Sequence, residues 1–213
     1  MHEGKELATT RDWRDWSKRH RWLFALVVMA KRTRTPVATA IVIGFLVEGI
    51  YNREVPVDLD QPSVASVLGL LLVTGGVMFR LLALGSIRKR ERLATTGVYS
   101  ICRHPLYFGT FLMGAGVCIL LNDPKSYIVM AAYFAAFYPL TIFREEIRLS
   151  EKFGAAHRRY AAITPVFLPI GRYRHGPWSA RRMIANQGTA LLAVTFVLLA
   201  CIEMMAETMQ RRP

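Results

Sequence analysis

The sequence predicts an all-α membrane protein, a polytopic bundle of about five transmembrane helices. Hydrophobic residues make up 53% of the 213 residues, and only 20% are charged. The hydrophobic residues are gathered into long runs instead of recurring at amphipathic spacing. Five such runs leave too little polar sequence to cover the core of a soluble protein of this size.

The predicted spans follow the apolar runs in chain order. They are Pro36–Tyr51, Val64–Leu84, Leu106–Leu121, Tyr127–Phe143 and Thr189–Met205. Several are shorter than the roughly 20 residues that cross a hydrocarbon core, but their number favours a membrane. We therefore expect residues 36–213 to form one membrane domain, preceded by a basic segment over residues 1–35.

The positive charge is distributed in a way that orients these spans. The formal net charge is +13, and the basic residues concentrate before residue 36, at 88–92 and at 144–182. The remaining connections are acidic or nearly neutral. This positive-inside pattern predicts a cytoplasmic N-terminus and an external C-terminus. We expect the membrane to be a bacterial inner membrane. Topology and anionic lipid headgroups explain the charge, so we expect no nucleic-acid partner.

The apolar stretch Trp22–Ala30 is only about half as long as a span, and counting it would invert every later loop. Because Trp13, Trp16 and Trp22 stand among basic residues, we expect an interfacial helix on the cytoplasmic leaflet. The N-terminus is charged where the apolar region of a signal peptide should be, which argues against a cleavable signal.

Two polar clusters bracket the third and fourth spans. The first, GVYSICRHPLYFG, runs from Gly97 to Gly109, and the second runs from Arg144 to Pro169. The chain between them crosses the membrane and returns, so both clusters end on the same side. The sequence therefore predicts a site at the cytoplasmic face.

The first cluster contains Arg103-His104-Pro105. Pro105 fits the first position of a helix, where its missing N–H is not needed. Arg103 and His104 would then lie at a helix N-terminus whose free backbone amides favour an anion such as a carboxylate. Gly109 could let a flat ligand approach the backbone. The alternative is that Arg103 and His104 only anchor the helix end to lipid phosphates.

The second cluster begins with Arg144, Glu145 and Glu146 at the end of the fourth span. Two carboxylates there oppose both the helix dipole and the anionic leaflet, so they require a specific partner. Ribose hydroxyls or an ammonium group would serve. The alternative is a surface network of these glutamates with Arg144 and Arg148.

A helix break is predicted at Phe153-Gly154. The residues that follow could enclose an adenine ring or simply pack against the bundle: His157, Tyr160, Thr164, Pro165 and Phe167. Three scattered cysteines, Cys102, Cys118 and Cys201, have no paired spacing, so neither a disulfide framework nor a metal site is expected.

The two clusters resemble the superfamily of isoprenylcysteine carboxyl methyltransferases and phospholipid methyltransferases, which are integral membrane enzymes. The resemblance begins with Gly76, Arg80 and Gly85, runs through the Leu93–Gly97 stretch and ends at Pro169. It covers a little under half of the chain. It implies an all-helical fold that uses S-adenosylmethionine without a Rossmann domain, with a cytoplasmic cofactor pocket built from residues 97–169.

The resemblance also implies roles for single residues. His104, Tyr107 and Gly109 would contact the cofactor, and Glu145 or Glu146 would hold its polar groups. The adenosine would be enclosed by Tyr160, Pro165 and Phe167. The catalytic candidates, which would orient the acceptor, neutralise its charge or take up a proton, are Arg103, Arg144 and Glu146.

The acceptor is expected to be a small lipophilic molecule. A carboxylate acceptor needs no general base, which favours an isoprenylcysteine-like carboxylate over the alternative, a phospholipid amine. A linker from Gly85 to Leu93 shorter than in enzymes that methylate prenylated proteins argues against a CaaX-type substrate. His157 stands where the family usually has a tyrosine, and its role stays open. The alternative of another class is a non-catalytic membrane scaffold that keeps the fold.

Two kinds of residue within the spans are expected to be structural. Glu48 and Glu203 should reach the outer interface from shallow positions. Small residues should permit close helix packing: Gly69, Gly75, Gly76, Gly114 and Gly116.

Overall fold

The computed structural model of the chain describes residues 21–52, 56–57, 63–87 and 92–210. Its α-helices are α1 (Arg21–Asn52), α2 (Val64–Ser86), α3 (Pro105–Leu121), α4 (Pro124–Ile163), α5 (Ala180–Ala185) and α6 (Gly188–Gln210). A single 3-10 turn covers Val98–Ser100. The described ranges contain no β-strand, only an isolated bridge between Gly97 and Arg174. The predicted all-α class is confirmed.

Within the described ranges, four helices are long and apolar enough to cross a membrane. They are Arg32–Tyr51, Val64–Ser86, Pro124–Ile163 and Gly188–Thr208. The fifth predicted span corresponds to α3, which has only 17 residues. At 1.5 Å per residue α3 is about 25 Å long, slightly less than a hydrocarbon core. The bundle therefore has the predicted number of apolar helices, one of them short.

The N-terminal helix corrects one predicted boundary. Residues Trp22–Ala30 are helical, but they belong to the continuous 32-residue helix α1, which passes through Pro36. The separate interfacial helix is wrong as an element, because the helix does not end before the first span. Trp13 and Trp16 lie outside the described residues.

Helix α4 joins the fourth span to the second polar cluster. Its 40 residues would extend about 60 Å, roughly twice the hydrocarbon thickness, so part of it projects beyond the membrane. The predicted break appears as a kink at Gly154, where φ is 47° and ψ is −121°. Glycine adopts this positive φ without a Cβ clash. The helix then resumes, so one element carries Glu145, Glu146 and His157.

Helices α2 and α3 pack closely through glycines. A Cβ on Gly76 would lie 2.5 Å from the carbonyl oxygen of Gly109, and one on Gly116 would lie 2.6 Å from that of Gly69. The expected packing role of Gly69, Gly76 and Gly116 is thus confirmed. By contrast, a Cβ on Gly75 would meet no atom within 4 Å. The close contact brings the end of α2 beside the start of α3.

The larger of two buried apolar clusters among the described residues lies away from that junction. It consists of Val73 from α2, Leu120 and Leu121 from α3, and Ile202 from α6. At the same end of the bundle, the Lys125 ammonium at the start of α4 lies 2.8 Å from the Glu48 carboxylate of α1. Apolar packing and this ion pair hold the end opposite the polar clusters.

The segment after α4 folds back along residues 97–104. The amide of Gly97 donates to the Arg174 carbonyl at 2.7 Å, and that of Gly171 donates to Ile101 at 2.9 Å. The Asn186 side chain then donates to the Leu84 carbonyl at the end of α2. This return closes the site end of the bundle, which we define as the C-terminus of α2, the N-terminus of α3 and residues 144–163 of α4.

Candidate active site

Helix α3 begins where the sequence predicts. His104 is its N-cap residue, and Pro105 occupies the first helical position. However, the Arg103 amide donates to the Pro165 carbonyl at 2.8 Å, and the His104 amide donates to Val166 at 3.2 Å. These two amides are therefore not available to an anion. The polarity of the site comes instead from side chains.

Glu146 joins the two polar clusters. Its carboxylate pairs with the Arg103 guanidinium, and its other oxygen lies 2.8 Å from His104 Nε2. The His104 side chain is only 3% exposed, that of Arg103 12% and that of Glu146 21%. Charged hydrogen bonds shielded from water are the stronger ones. The predicted meeting of the two clusters is confirmed, and the partner of Glu146 lies within the protein.

Glu145 is held differently from its neighbour. The Tyr107 hydroxyl donates to Glu145 Oε2 at 2.6 Å, and His104 Nδ1 lies 3.9 Å from the same oxygen. The Tyr107 and His104 rings stack at 5.5 Å. The Glu145 side chain is 44% exposed. The Glu146 carboxylate is thus occupied by contacts within the protein, whereas the Glu145 carboxylate is oriented by Tyr107 and remains accessible to a ligand.

The hydrogen-bond network around Glu146 is incomplete. His157 is buried, and its Nε2 lies 3.7 Å from Glu146 Oε2, beyond hydrogen-bond distance. Within the described part of the chain, His157 Nε2 and Arg103 Nε are buried and have no hydrogen-bond partner. Buried polar atoms are usually satisfied, so these two are available to a ligand.

The remaining predicted contacts face other parts of the protein. The Tyr160 hydroxyl donates to the Tyr99 carbonyl at 2.6 Å, and the Phe167 ring packs 5.7 Å from Phe108. The Pro165 carbonyl accepts the bond from the Arg103 amide described above. A Cβ on Gly109 would lie 2.7 Å from the Gly76 carbonyl oxygen, so the close approach that Gly109 allows is to α2.

Arg144 is not drawn into the cluster. It is half-buried and makes no ion pair or hydrogen bond with any residue that the structure describes. Arg148 is exposed. The alternative of a surface network linking the glutamates to Arg144 and Arg148 is wrong, because Glu145 and Glu146 turn towards α3.

Sequence reasoning gave no role to a group of polar residues just inside the bundle. The Arg80 guanidinium donates to the Thr110 hydroxyl, and the Arg34 guanidinium lies 5.2 Å from the Tyr107 ring centroid. The Tyr138 ring meets Tyr107 edge-on at 5.4 Å. The available signal is the single charge of Arg80 within an apolar span, which is a functional pointer by default. Arg34 gives no such signal, because it follows Lys31 and Arg32 in a basic run.

Cys102 is next to the site but is chemically quiet. It is fully buried, and burial raises its pKa to about 12, although a backbone hydrogen bond at His104 opposes the rise. The thiol is therefore protonated at neutral pH and is no nucleophile. No group of three or more potential metal ligands occurs among the residues that the structure describes.

Comparison with known proteins identifies the segment that carries this site. Residues 64–156 match the family model described as phospholipid methyltransferase. Over 140 residues the chain is 33% identical to protein-S-isoprenylcysteine O-methyltransferase of Rattus norvegicus, covering 60% of this chain and 48% of the rat protein. No solved structure gives a significant match.

Two further relatives extend the comparison. Protein-S-isoprenylcysteine O-methyltransferase B of Arabidopsis thaliana is 35% identical over 101 residues, which are 46% of this chain and 50% of that protein. The nickel-cobalt-cadmium resistance protein NccN of Alcaligenes xylosoxydans xylosoxydans is 36% identical over 102 residues, 48% of this chain and 47% of NccN. The chain spans about half the length of these curated relatives. Over residues 64–156 the chain is thus similar to the superfamily of integral membrane methyltransferases that includes phospholipid and isoprenylcysteine methyltransferases.

Proposed function

We propose that this protein transfers a methyl group from S-adenosylmethionine to a small lipophilic acceptor, with an isoprenylcysteine-like carboxylate as the favoured acceptor. One observation carries the proposal. Glu146 is fixed between Arg103 and His104, beside the oriented and accessible Glu145, where α3 meets α4. This junction lies in the segment that matches the methyltransferase family.

The side chains of the site suit the chemistry of S-adenosylmethionine, which bears a carboxylate, an ammonium group and ribose hydroxyls. The unpartnered Arg103 Nε can donate to a carboxylate, and the exposed Glu145 can accept from hydroxyls or an ammonium group. His157 Nε2 offers one more polar contact. When bound there, the cofactor would supply an electrophilic methyl group.

The protein's contribution would be alignment and exclusion of water. Arg103 and His104 fix Glu146, and the Tyr107 hydroxyl fixes Glu145, so the carboxylates are positioned before a ligand arrives. Phe167 packs against Phe108 and Phe111 beside the start of α3 and keeps that wall of the site apolar. Alignment and a dry environment can supply much of the rate of a displacement reaction.

A phospholipid amine is the second candidate acceptor, favoured by the description of the matching family. An amine must lose a proton, and the unbonded ring nitrogen of buried His157 could accept it. Methylation of a farnesyl thioether carboxylate and of phosphatidylethanolamine in parallel assays separates the two. Turnover of the phospholipid alone would replace the favoured acceptor by the second.

We further propose that the protein lies in a bacterial inner membrane with the site facing the cytoplasm. The support is the concentration of basic residues in the segments next to the site end, at 88–92 and 144–182. Alkaline phosphatase fused after residue 213 should be active, because that end would be external. The same enzyme fused after residue 175 should be inactive, and the reverse pattern would contradict the orientation.

Calorimetric titration with S-adenosylmethionine and S-adenosylhomocysteine tests the function directly. We expect saturable binding by the detergent-purified protein, loss of binding in His104→Ala and Glu146→Ala, and normal binding in Arg148→Ala, a matched change outside the cluster. Absence of binding by well-folded protein would favour the non-catalytic scaffold. Normal binding in both site variants would overturn the residue assignment.

A further inference from the structure

We propose that Arg80 binds the anionic headgroup of the methyl acceptor, an inference that rests on the proposed function and adds a specificity-determining residue to it. Arg80 lies in α2 six residues before the helix ends at Ser86. At 1.5 Å per residue this is about 9 Å inside the site end. A headgroup carried by an apolar chain would meet the guanidinium at that depth.

The contacts of Arg80 leave its charge uncompensated. Its guanidinium donates to the Thr110 hydroxyl, and its Cγ would lie 2.8 Å from a Cβ on Gly109. Its Nε is buried and has no hydrogen-bond partner, and no carboxylate pairs with it anywhere in the described ranges. A buried cation without a partner is unfavourable, and a cation within an apolar span is a functional candidate by default.

A count of the charges at the site end leads to the same residue. Arg103 pairs with Glu146. Arg34 lies over the Tyr107 ring, whose hydroxyl donates to Glu145, and Glu145 is within electrostatic reach of Arg34. Of the three guanidinium groups in contact with α3 side chains, those of Arg34 and Arg103 thus have a carboxylate nearby, and that of Arg80 pairs with none. A guanidinium binds a carboxylate or phosphate through two parallel hydrogen bonds, which makes either one a suitable counterion.

An apolar wall adjoins this cation. The Tyr138 ring stacks on Phe134 at 4.0 Å, and Phe134 contacts Phe111 edge-on at 5.3 Å. Arg80 contacts Thr110, and Phe111 is the next residue in α3. The row of aromatic rings therefore begins beside the Arg80 contact. The arrangement suits an amphiphile whose charged head meets Arg80 and whose chain lies along α3 and α4.

A purely structural role for Arg80, tying α2 to α3 through Thr110, makes a different prediction. Loss of the guanidinium would then lower stability without changing which ligands bind. The test therefore measures the preference among ligands that differ only in headgroup charge. Binding is measured without cofactor, so a failure of the proposed function at the cofactor step does not affect the result.

The experiment uses the full chain in an uncharged detergent and three farnesyl thioether probes, ending in a carboxylate, a phosphate or a neutral amide. We expect the wild type to bind at least one anionic probe about tenfold more tightly than the amide, as for a charged hydrogen bond. Arg80→Met should bind all three as it binds the amide. Arg80→Lys should keep part of the preference, and the matched control Arg148→Met should keep all of it.

Several outcomes would overturn the inference: no preference in the wild type, or an undiminished preference in Arg80→Met. If Arg80→Met does not fold, Arg80→Lys and Thr110→Val decide, since each disturbs the fork geometry and should reduce the preference several-fold. Stronger binding of the carboxylate points to a carboxyl acceptor, and stronger binding of the phosphate points to a phospholipid; both support an anion site at Arg80. Binding of S-adenosylhomocysteine by Arg80→Met should match that of the wild type.

Discussion

The two ends of the α2–α3 pair are held together by different kinds of interaction. Away from the site, Gly69 meets Gly116, and the apolar residues Val73 and Leu120 fill the surrounding core. At the site end, hydrogen bonds and charges among α2, α3 and α4 are added to a small apolar cluster of Ala83, Val98 and Tyr99. The glycine contact between Gly76 and Gly109 marks the boundary, because Arg80 lies just beyond it.

Because of this difference, substitutions at one end should affect folding, and substitutions at the other should affect binding alone. Where two helix backbones are in contact, there is no space for a larger side chain, so a glycine substitution must push the helices apart. Where side chains meet through charges, a substitution can remove a contact while the helices keep their positions. Four variants test that division.

The first variant adds volume at the boundary. Gly76→Leu should prevent folding, because its Cβ alone would lie 2.5 Å from the Gly109 carbonyl oxygen and 2.8 Å from the Met113 amide nitrogen. Overpacking costs about 1–3 kcal/mol or more even where side chains can adjust, and these are backbone atoms. Gly75→Leu is the matched control, since its Cβ meets nothing within 4 Å. Size-exclusion profiles after heating measure both, and equal profiles would contradict the packing argument.

The fold and the meeting of the two clusters could be predicted from the sequence. Apolar runs give the number of apolar helices, and the return through the membrane places both clusters at one end. Pro105 gives the start of α3, and Gly154 gives the kink in α4. These inferences succeed because each depends on order along the chain.

The sequence does not predict which side of a helix faces which neighbour, because that depends on the rotation of the helix about its axis. Spacing places Gly109 near the start of α3 but does not say that it faces Gly76 rather than a ligand. Nor does it reveal that Arg34, far away in the chain, lies over Tyr107. The sequence also places the start of the first long helix too late, because Trp22–Ala30 is too short to be a span alone yet continues into one.

The second variant removes a charge at the site. Glu146→Gln keeps the shape but leaves Arg103 and His104 without their anion. We expect binding of S-adenosylhomocysteine to weaken about tenfold to hundredfold, which corresponds to the 1.5–3 kcal/mol of a charged hydrogen bond. The protein should stay monodisperse in detergent. Unfolding of this variant would show that the site end, like the glycine contact, is needed for the fold.

The third variant removes one hydroxyl from the same network. Tyr107→Phe keeps the stacking on His104 but loses the bond to Glu145. A neutral donor to a partly exposed carboxylate contributes about 1 kcal/mol, so calorimetry should show roughly fivefold weaker binding of S-adenosylhomocysteine. Tyr173→Phe, at an exposed tyrosine outside the cluster, should show no change. Equal affinity in both variants would mean that Glu145 needs no orientation.

The fourth variant lies among the polar residues of the site end, but we expect it to change stability and not binding. The Tyr160 hydroxyl is buried and donates to the Tyr99 carbonyl, which supports the turn just before Arg103. Tyr160→Phe should therefore lower the free energy of unfolding by about 1 kcal/mol and leave binding of S-adenosylhomocysteine unchanged. The resemblance to the methyltransferases implied instead that Tyr160 encloses the adenosine. If Tyr160→Phe instead binds S-adenosylhomocysteine more weakly and keeps its stability, Tyr160 belongs to the cofactor site. The site would then extend along α4 about one helical turn beyond His157.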